Sequence, residues 1–308
     1  RIFRAGDSMS SSYPDYPLRR YGNDHDRYDW SYSALRPKDG PGKLDVFIVV
    51  PLEFFPLTLS GKPFKHPGAM VTPYPDLRHF STRDYGNRVG VFRILDALKA
   101  AGMRAVFPVN GMLLDRCQPL IERIADAGHE IAAHGVSTDH IHYDGLSEAD
   151  EAGYIEQTLE LFAKKGLQPK TWMSPARNES YRTPDLLTKF GFETCLDWEM
   201  DQVPVAMNTE NGPLTCLPNH FELNDFNLLF TKRQSEDEWS DQLVESVNYL
   251  ADEAEAYGAR VMGFTLTPYI AGLPFRIHAL RKTLAAIEKL NKVRVSVPSL
   301  IRSDWLQK

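Results

Sequence analysis

The stretch GHEIAAHGVSTDHIH, residues 128–142, decides the fold that this sequence predicts. Residues 129–133 read as a brief buried strand, and His134-Gly135 marks the change from strand to loop. In a chain that alternates strands and helices, a polar residue at the carboxyl end of a strand lies at the mouth of the sheet or barrel, where ligands bind. His134 is therefore the first candidate catalytic residue.

Strand-like and helix-like segments alternate along most of the chain. Nearly continuous apolar runs begin with LDVFIVVPL at residue 44 and end with KVRVSVP at residues 292–298. Segments with helical spacing lie between them, such as residues 89–101 and residues 147–165, the latter opened by the capping pattern SEAD. Such strands are typical of parallel sheets covered by helices. The prediction is an α/β fold, a distorted (β/α) barrel of about seven parallel strands, with a doubly wound open sheet as the alternative.

Two parts of the chain differ in composition. Residues 1–43 are rich in Tyr, Asp, Arg, Ser, Pro and Gly and have no periodicity, so we predict an ordered N-terminal arm that lies across the body or a neighbouring subunit. Residues 44–308 are predicted to form a single barrel domain. The arm and the proline-rich loop at residues 56–75 favour a homo-oligomer.

Composition narrows the class of protein. The 43% hydrophobic and 25% charged residues are those of a globular protein. A net charge of −6 without a dense basic run argues against a nucleic-acid partner, and no apolar stretch approaches the length that spans a bilayer. Cys117, Cys195 and Cys216 are odd in number and widely spaced, which favours reduced thiols. We expect a cytoplasmic protein whose partner is a small molecule.

Polar residues follow successive predicted strands, so they are expected to share one rim. A carboxylate at Glu53 is costly to bury in its apolar context unless it is paired. Arg177 supplies a planar cation suited to a carboxylate, an amide oxygen or a developing oxyanion. Asp197 and Asp201 could orient His134 or hold Arg177. The full set of strand-end residues is Glu53, Asn110, His134, Arg177, Asp197, Asp201, Glu222 and Thr267.

The histidines near His134 raise the question of a metal. A catalytic zinc takes three protein ligands and keeps an open position for water. Glu53, His134 and either His140 or His142 would supply them, but the spacing HxxxxxHxH matches no tight ligand pair. We predict no metal, with zinc at these residues as the alternative.

The order of motifs resembles the polysaccharide deacetylase superfamily. Within it, the closer likeness is to the branch of the PuuE-type allantoinases and cyclic imide hydrolases, whose fold is a distorted β/α barrel. After the first strand with Glu53, the motifs are TRDYGNRVG (82–90), GHEIAAHG (128–135), SPARNESYRTPDLL (174–187), DWEMDQVP (197–204), LPNHFELND (217–225) and LTPYIAGLPFRI (266–277). The resemblance implies a hydrolase of non-peptide C–N bonds.

The chain departs from the superfamily pattern at three places. Leu52-Glu53 stands where metal-dependent deacetylases carry an Asp-Asp pair, and Thr138 and Thr267 stand where they carry histidines. The allantoinase-like branch also loses part of the metal triad and is thought to work without a metal. A threonine hydroxyl can hydrogen-bond a substrate but cannot exchange a proton near neutral pH as imidazole does.

The leading prediction is a metal-independent hydrolase that opens a small cyclic amide, imide or ureide. Such hydrolysis needs a base, an oxyanion donor and an acid for the leaving nitrogen. The predicted catalytic residues are Glu53, His134, Arg177 and Asp201, and the predicted substrate-binding residues are Tyr85, Arg88, Asn110, His142, Trp198, Glu222 and Thr267. Arg177 and Arg88 favour a substrate with a carboxylate or several carbonyl oxygens.

Two other functions remain open from the sequence. One is a metal-dependent deacetylase of N-acetylated sugars. The other is a non-hydrolytic enzyme, such as a lyase or isomerase that uses His134 as its base, or a binding protein on the same scaffold.

Overall fold

A computed structural model describes residues 27–28, 43–70 and 75–306. The predicted arm, residues 1–43, lies outside the described residues except for Arg27, Tyr28 and Lys43. The strands are β1 (Leu44–Val49), β2 (Val106–Val109), β3 (Glu130–Ala133), β4 (Thr171–Trp172), β5 (Thr194–Cys195), β6 (Val205–Met207), β7 (Leu214–Cys216), β8 (Arg260–Thr265) and β9 (Val293–Val295). The α-helices are α1 (Leu77–Tyr85), α2 (Val91–Ala100), α3 (Leu113–Arg116), α4 (Gln118–Asp126), α5 (Glu148–Ala163), α6 (Thr183–Lys189), α7 (Glu236–Tyr257), α8 (Pro268–Ala271), α9 (Ile277–Glu288) and α10 (Pro298–Leu306).

The sheet is mostly parallel and curls into a distorted barrel. Seven parallel strands are neighbours in the order β7, β5, β4, β3, β2, β1 and β8. A parallel bridge between Asn219, which follows β7, and Gly263 of β8 joins the two edges. There, the backbone N–H of His220 donates to the Gly263 carbonyl at 2.8 Å. The predicted α/β barrel of about seven parallel strands is confirmed.

Two further strands lie beside this set. β9 pairs with the first half of β1, whereas β2 pairs only near the carboxyl end of β1. β6 runs antiparallel to β7 and was not predicted, because its three residues carry no alternating pattern.

Alternate residues along the strands form two layers of core. Phe47 and Val49 of β1 face an inner cluster with Val106 of β2 and Val261 of β8, whereas Val46 and Ile48 face the covering helices. Ile301 of α10, a helix that was not predicted, packs into the inner cluster. Side chains alternate between the two faces of a strand, and both faces of β1 are covered. Every residue of β1 is therefore buried.

The helical segment that covers the motif TRDYGNRVG is longer than predicted. Its helix was expected to begin at residue 89, but α1 continues through a π-helical turn, Gly86–Gly90, into α2. A side chain at Gly90 would place its Cβ 2.0 Å from the Pro268 carbonyl oxygen of α8. Gly86 and Gly90 therefore permit close contact with α8, although glycine normally indicates a break in a helix.

The capping pattern before α5 is confirmed. Ser147 precedes the helix, and its side chain accepts a hydrogen bond from the backbone N–H of Asp150. Within the part of the chain that the structure describes, no helix combines the length and the apolar character needed to cross a membrane.

Candidate active site

The carboxyl ends of the strands open into a cavity of about 310 Å³. Four of the predicted site residues line it: Glu53 after β1, His134 after β3, Arg177 after β4 and Thr267 after β8. This convergence follows from the parallel strands, whose carboxyl ends meet at one rim. The rest of the lining is mostly apolar and comprises Pro51, Phe55, Phe64, His66, Pro67, Arg83, Met173, Ala176, Phe221, Asn224, Phe226, Thr265 and Tyr269.

His134 and Glu53 face each other across a short gap. His134 Nε2 lies 3.7 Å from Glu53 Oε1, too far for a direct hydrogen bond. The other ring nitrogen, Nδ1, lies 2.7 Å from the Met173 carbonyl oxygen, which can only accept. The neutral ring therefore carries its proton on Nδ1, and Nε2, which has no hydrogen-bond partner among the described residues, can accept a proton.

Two buried side chains hold the backbone next to Glu53. Asn110 Oδ1 accepts from the Phe54 N–H at 2.7 Å, and Asn110 Nδ2 donates to the His134 carbonyl. Thr138 Oγ1 donates to the Phe54 carbonyl at 2.9 Å. Asn110, which was predicted to bind substrate, does not line the cavity. It links the segment of Glu53 to that of His134 and is better described as a positioning residue.

Arg177 reaches the cavity from a strained turn. Ala176 and Arg177 have φ values of 57° and 52°, in the left-handed region that costs about 1–3 kcal/mol for a residue other than glycine. Arg177 Nη2 donates to the Asp197 carbonyl at 2.8 Å and lies 3.6 Å from Glu199 Oε2. The backbone oxygen of Asp197 thus holds Arg177, as the sequence suggested for this aspartate.

Thr267 is held by the carboxylate of Asp225, a residue for which no role was predicted from the sequence. The Thr267 N–H and hydroxyl donate to the two carboxylate oxygens of Asp225, at 2.7 Å and 2.8 Å. Burial raises the pKa of Asp225 to about 7, against the lowering effect of these hydrogen bonds. Thr267 precedes α8, so Asp225 positions both the hydroxyl and the start of that helix.

A second side of the cavity is formed by segments for which the sequence predicted neither a helix nor a strand. His66 lies in the loop before α1, and its Nε2 donates to the Thr138 carbonyl at 2.9 Å. The His66 ring makes an edge contact with Phe55, with 5.4 Å between ring centroids. Arg83 of α1 and Tyr269 of α8 complete this side. No spacing in the sequence identifies His66, because the loop before α1 has neither helical nor strand periodicity.

Besides Asn110, six predicted site residues do not line the cavity. Arg88 is 66% exposed and pairs with Asp84, and Glu222 is 68% exposed and pairs with Lys232. The six are Asp201, Tyr85, Arg88, His142, Trp198 and Glu222.

The other four residues have hydrogen-bond or ion-pair partners that do not line the cavity. Tyr85 accepts from Arg93, Asp201 accepts from the N–H of the next residue, and the Trp198 indole donates to Glu179. His142 is fully buried with its Nδ1 3.2 Å from Glu151 Oε1. These contacts depend on the direction of each side chain, which a residue's place after a strand does not determine.

The cavity does not offer the three-ligand set of a catalytic zinc. His140 Nδ1 lies 2.7 Å from Ser137 Oγ, and neither His140 nor His142 lines the cavity. Glu53 and His134 are then the two ligands left from the predicted set, and Thr138, at the family's histidine position, donates its hydroxyl to a backbone carbonyl. His66 also lines the cavity, but the described cavity residues do not bring three ligand atoms within 4.8 Å of one another, so they do not fit a site that requires three protein ligands.

One other group of potential metal ligands comes together among the described residues. Glu179, Cys195 and Asp197 have ligand atoms within 4.8 Å of one another. Burial and the Asp197 carboxylate raise the pKa of Glu179 well above its usual range, and burial raises the pKa of the Cys195 thiol. The backbone N–H of Ser174 donates to Asp197, so these groups already have partners within the protein.

Comparison with known proteins agrees with the fold and the motifs. Residues 76–195 match the family model described as polysaccharide deacetylase. The structure is similar to PuuE allantoinase, with 23% identity, a TM-score of 0.75 and coverage of 96% of this chain and 99% of that one. It is also similar to a probable polysaccharide deacetylase from Pseudomonas aeruginosa PAO1, with 20% identity, a TM-score of 0.75 and coverage of 87% and 92%.

A third similar structure is a CE4 family pseudoenzyme from Bacillus anthracis, with 12% identity, a TM-score of 0.51 and coverage of 85% of this chain and 66% of that one. A search of curated proteins by sequence gave no match. These likenesses concern the fold, which this chain shares with PuuE allantoinase and with the probable deacetylase. Residues 76–195 thus match the family that the motifs predicted, and the chain has the fold of these solved structures.

Proposed function

We propose that this protein is a hydrolase that opens a C–N bond in a small cyclic amide, imide or ureide without a bound metal. The observation that carries the proposal is the pair His134 and Glu53, whose facing atoms are 3.7 Å apart in a mostly apolar cavity. Metal independence is supported by the side chains that line the cavity. Among the described residues, no third ligand atom comes together with those of His134 and Glu53.

The arrangement supplies each group that the reaction needs. His134 Nε2 takes a proton from water, and the water oxygen attacks the ring carbonyl carbon. The Glu53 carboxylate stabilises the imidazolium that forms, and the Arg177 guanidinium stabilises the oxyanion. The imidazolium then returns its proton to the leaving nitrogen as the C–N bond breaks, so that the ring opens to a carboxylate and a free amide or amine.

The two threonines that replace histidines do not take part in proton transfer. Both hydroxyls are engaged as donors, Thr138 to a backbone carbonyl and Thr267 to Asp225. This leaves His134 to act first as base and then as acid. His66 also lines the cavity, and its Nε2 donates to the Thr138 carbonyl.

The test is a hydrolysis screen of allantoin, hydantoins, cyclic imides and N-acetylated sugars, run beside metal analysis by mass spectrometry on protein purified without chelators. We expect a ring-opened product, with substoichiometric zinc, nickel or cobalt, and turnover that survives treatment with a chelator. Release of acetate from a sugar by metal-loaded protein would instead identify a deacetylase. Binding without turnover of any compound would indicate a binding protein on this scaffold.

A further inference from the structure

Arg83 is a buried cation in the wall of the cavity. It lies in α1, its relative exposure is 5%, and it lines the cavity together with Glu53 and His134. A guanidinium loses most of its hydration at such a site, so its charge must be balanced by the protein or by a ligand.

The contacts of Arg83 hold it in place but leave its charge unbalanced. Its Nη2 donates to the Pro67 carbonyl at 2.7 Å, and its Nε has no hydrogen-bond partner among the described residues. The guanidinium carbon lies 4.9 Å from the Tyr269 ring centroid and 5.6 Å from that of Phe55. Within the described part of the chain, no carboxylate approaches Arg83 within 4.0 Å.

A neighbouring histidine shows the influence of this charge. Burial and, next in size, the Arg83 charge lower the pKa of His79 to about 4. His79 is therefore neutral at pH 7. Contacts with two aromatic faces offset part of the cost of burying a cation, but they leave its positive charge facing the cavity.

The other two arginines that bear on the site are already balanced. Arg177 contacts the Asp197 carbonyl and the Glu199 carboxylate, and Arg88 is exposed and paired with Asp84. The sequence predicted that Arg88 and Arg177 would favour a substrate with a carboxylate or several carbonyl oxygens. Among the described residues that line the cavity, Arg83, five residues before Arg88, is the arginine with no carboxylate within 4.0 Å.

We propose that Arg83 binds an anionic group of the substrate, so that the substrate is a small cyclic amide, imide or ureide that carries a carboxylate. The planar guanidinium suits a carboxylate, which can accept two parallel N–H donors. The apolar lining, with Phe55, Phe64, Phe221 and Phe226, suits the flat ring. The identification of the ring rests on the proposed function, whereas the binding of an anion by Arg83 does not.

Calorimetric titration with benzoate and benzamide tests the anion site, since these probes share a shape and differ in charge. We expect the native protein to bind benzoate at least tenfold more tightly than benzamide. Arg83→Gln should abolish the preference, and Arg83→Lys should keep part of it because the charge remains without the planar fork. Arg88→Gln, in the same motif but outside the cavity, is the matched control and should keep all of it.

Equal affinity for the two probes, no binding of benzoate, or a preference that survives in Arg83→Gln would overturn the proposal. Thermal melts of both Arg83 variants check that they are folded, and Arg83→Lys decides the question should Arg83→Gln not fold. If the native protein opens no ring but prefers benzoate, the proposed hydrolysis fails and the anion site stands. If it opens neutral and carboxylated imides with the same kcat/KM, hydrolysis stands and the anion site fails.

Discussion

The two sides of the cavity are held in place by different forces. The strand-end wall, which consists of Glu53, His134 and Arg177, is held by hydrogen bonds to the backbone, such as the 2.7 Å contact of His134 Nδ1 with the Met173 carbonyl. The helix wall, which consists of His66, Arg83 and Tyr269, is held by aromatic contacts in addition to the backbone hydrogen bonds of His66 and Arg83.

The two sides of the cavity are therefore suited to two different functions, proton transfer and ligand recognition. Backbone hydrogen bonds in a closed sheet fix an atom's position closely, which proton transfer requires. Contacts with aromatic faces are less directional and tolerate a change of ligand, which suits recognition. The walls meet at the hydrogen bond from His66 to the Thr138 carbonyl, next to the segment that carries His134.

The largest effect on turnover is expected from His134→Asn in the strand-end wall. Asparagine can keep the donor to the Met173 carbonyl while it removes Nε2, the atom that accepts the proton. We expect ring opening to slow about 10²–10⁴-fold with a small change in melting temperature, measured as kcat on the best substrate of the screen.

Glu222→Gln is the matched control for this variant, because Glu222 belongs to the same predicted set but is exposed and outside the cavity. It should leave kcat unchanged. A His134→Asn variant with native turnover would remove the imidazole from the mechanism.

The largest loss of stability is expected from Gly90→Ala, in the π-helical turn that packs against α8 next to the helix wall. Its Cβ would lie 2.0 Å from the Pro268 carbonyl oxygen, so α8 must move and carry Tyr269 and Thr267 with it. We expect a loss of about 1–3 kcal/mol in the free energy of unfolding, measured by urea denaturation, together with weaker substrate binding.

Gly153→Ala in α5 is the opposite case, since no atom lies within 4 Å of its added Cβ. We expect a gain of about 0.4–1 kcal/mol there, because alanine restricts the unfolded chain and is compatible with the helix. Equal stability of the two variants would show that contact between the π-helical turn and α8 does not constrain the wall.

The third effect is the pH dependence of stability at the Asp225 carboxylate, which anchors Thr267. Asp225 has a pKa of about 7 in the folded protein and a usual value of 3.8, so between these pH values the folded state binds more protons. Its contribution to stability is therefore lost as pH rises from about 4 to about 7.

Asp225→Asn should remove this contribution, which is up to about 3 kcal/mol between pH 5 and pH 8. Urea denaturation across that range measures the difference between the variant and the native protein. Asp126→Asn, at an exposed position of α4, serves as the control. If the native protein and Asp225→Asn show parallel pH profiles, the Asp225 carboxyl does not titrate in this window.

Much of the strand-end wall could be predicted from the sequence. The apolar runs gave the parallel strands, and Glu53, His134, Arg177 and Thr267 follow four of them and do share the cavity. The helix wall could not be predicted in the same way. The sequence predicts no helix over residues 77–88, because they contain few apolar residues and Gly86 interrupts them, so it does not give the direction of Arg83.

The sequence by itself determined the barrel, the order of its motifs and the loss of two family histidines. The reason is that strand periodicity and strand-end position are local properties, and parallel strands bring their carboxyl ends together whatever the loops do. Only the tertiary structure decided which polar side chains enter the cavity and that Arg83 faces it without a described counter-ion. Those features depend on contacts between segments far apart in the chain, such as α1 with α8, and no local pattern encodes them.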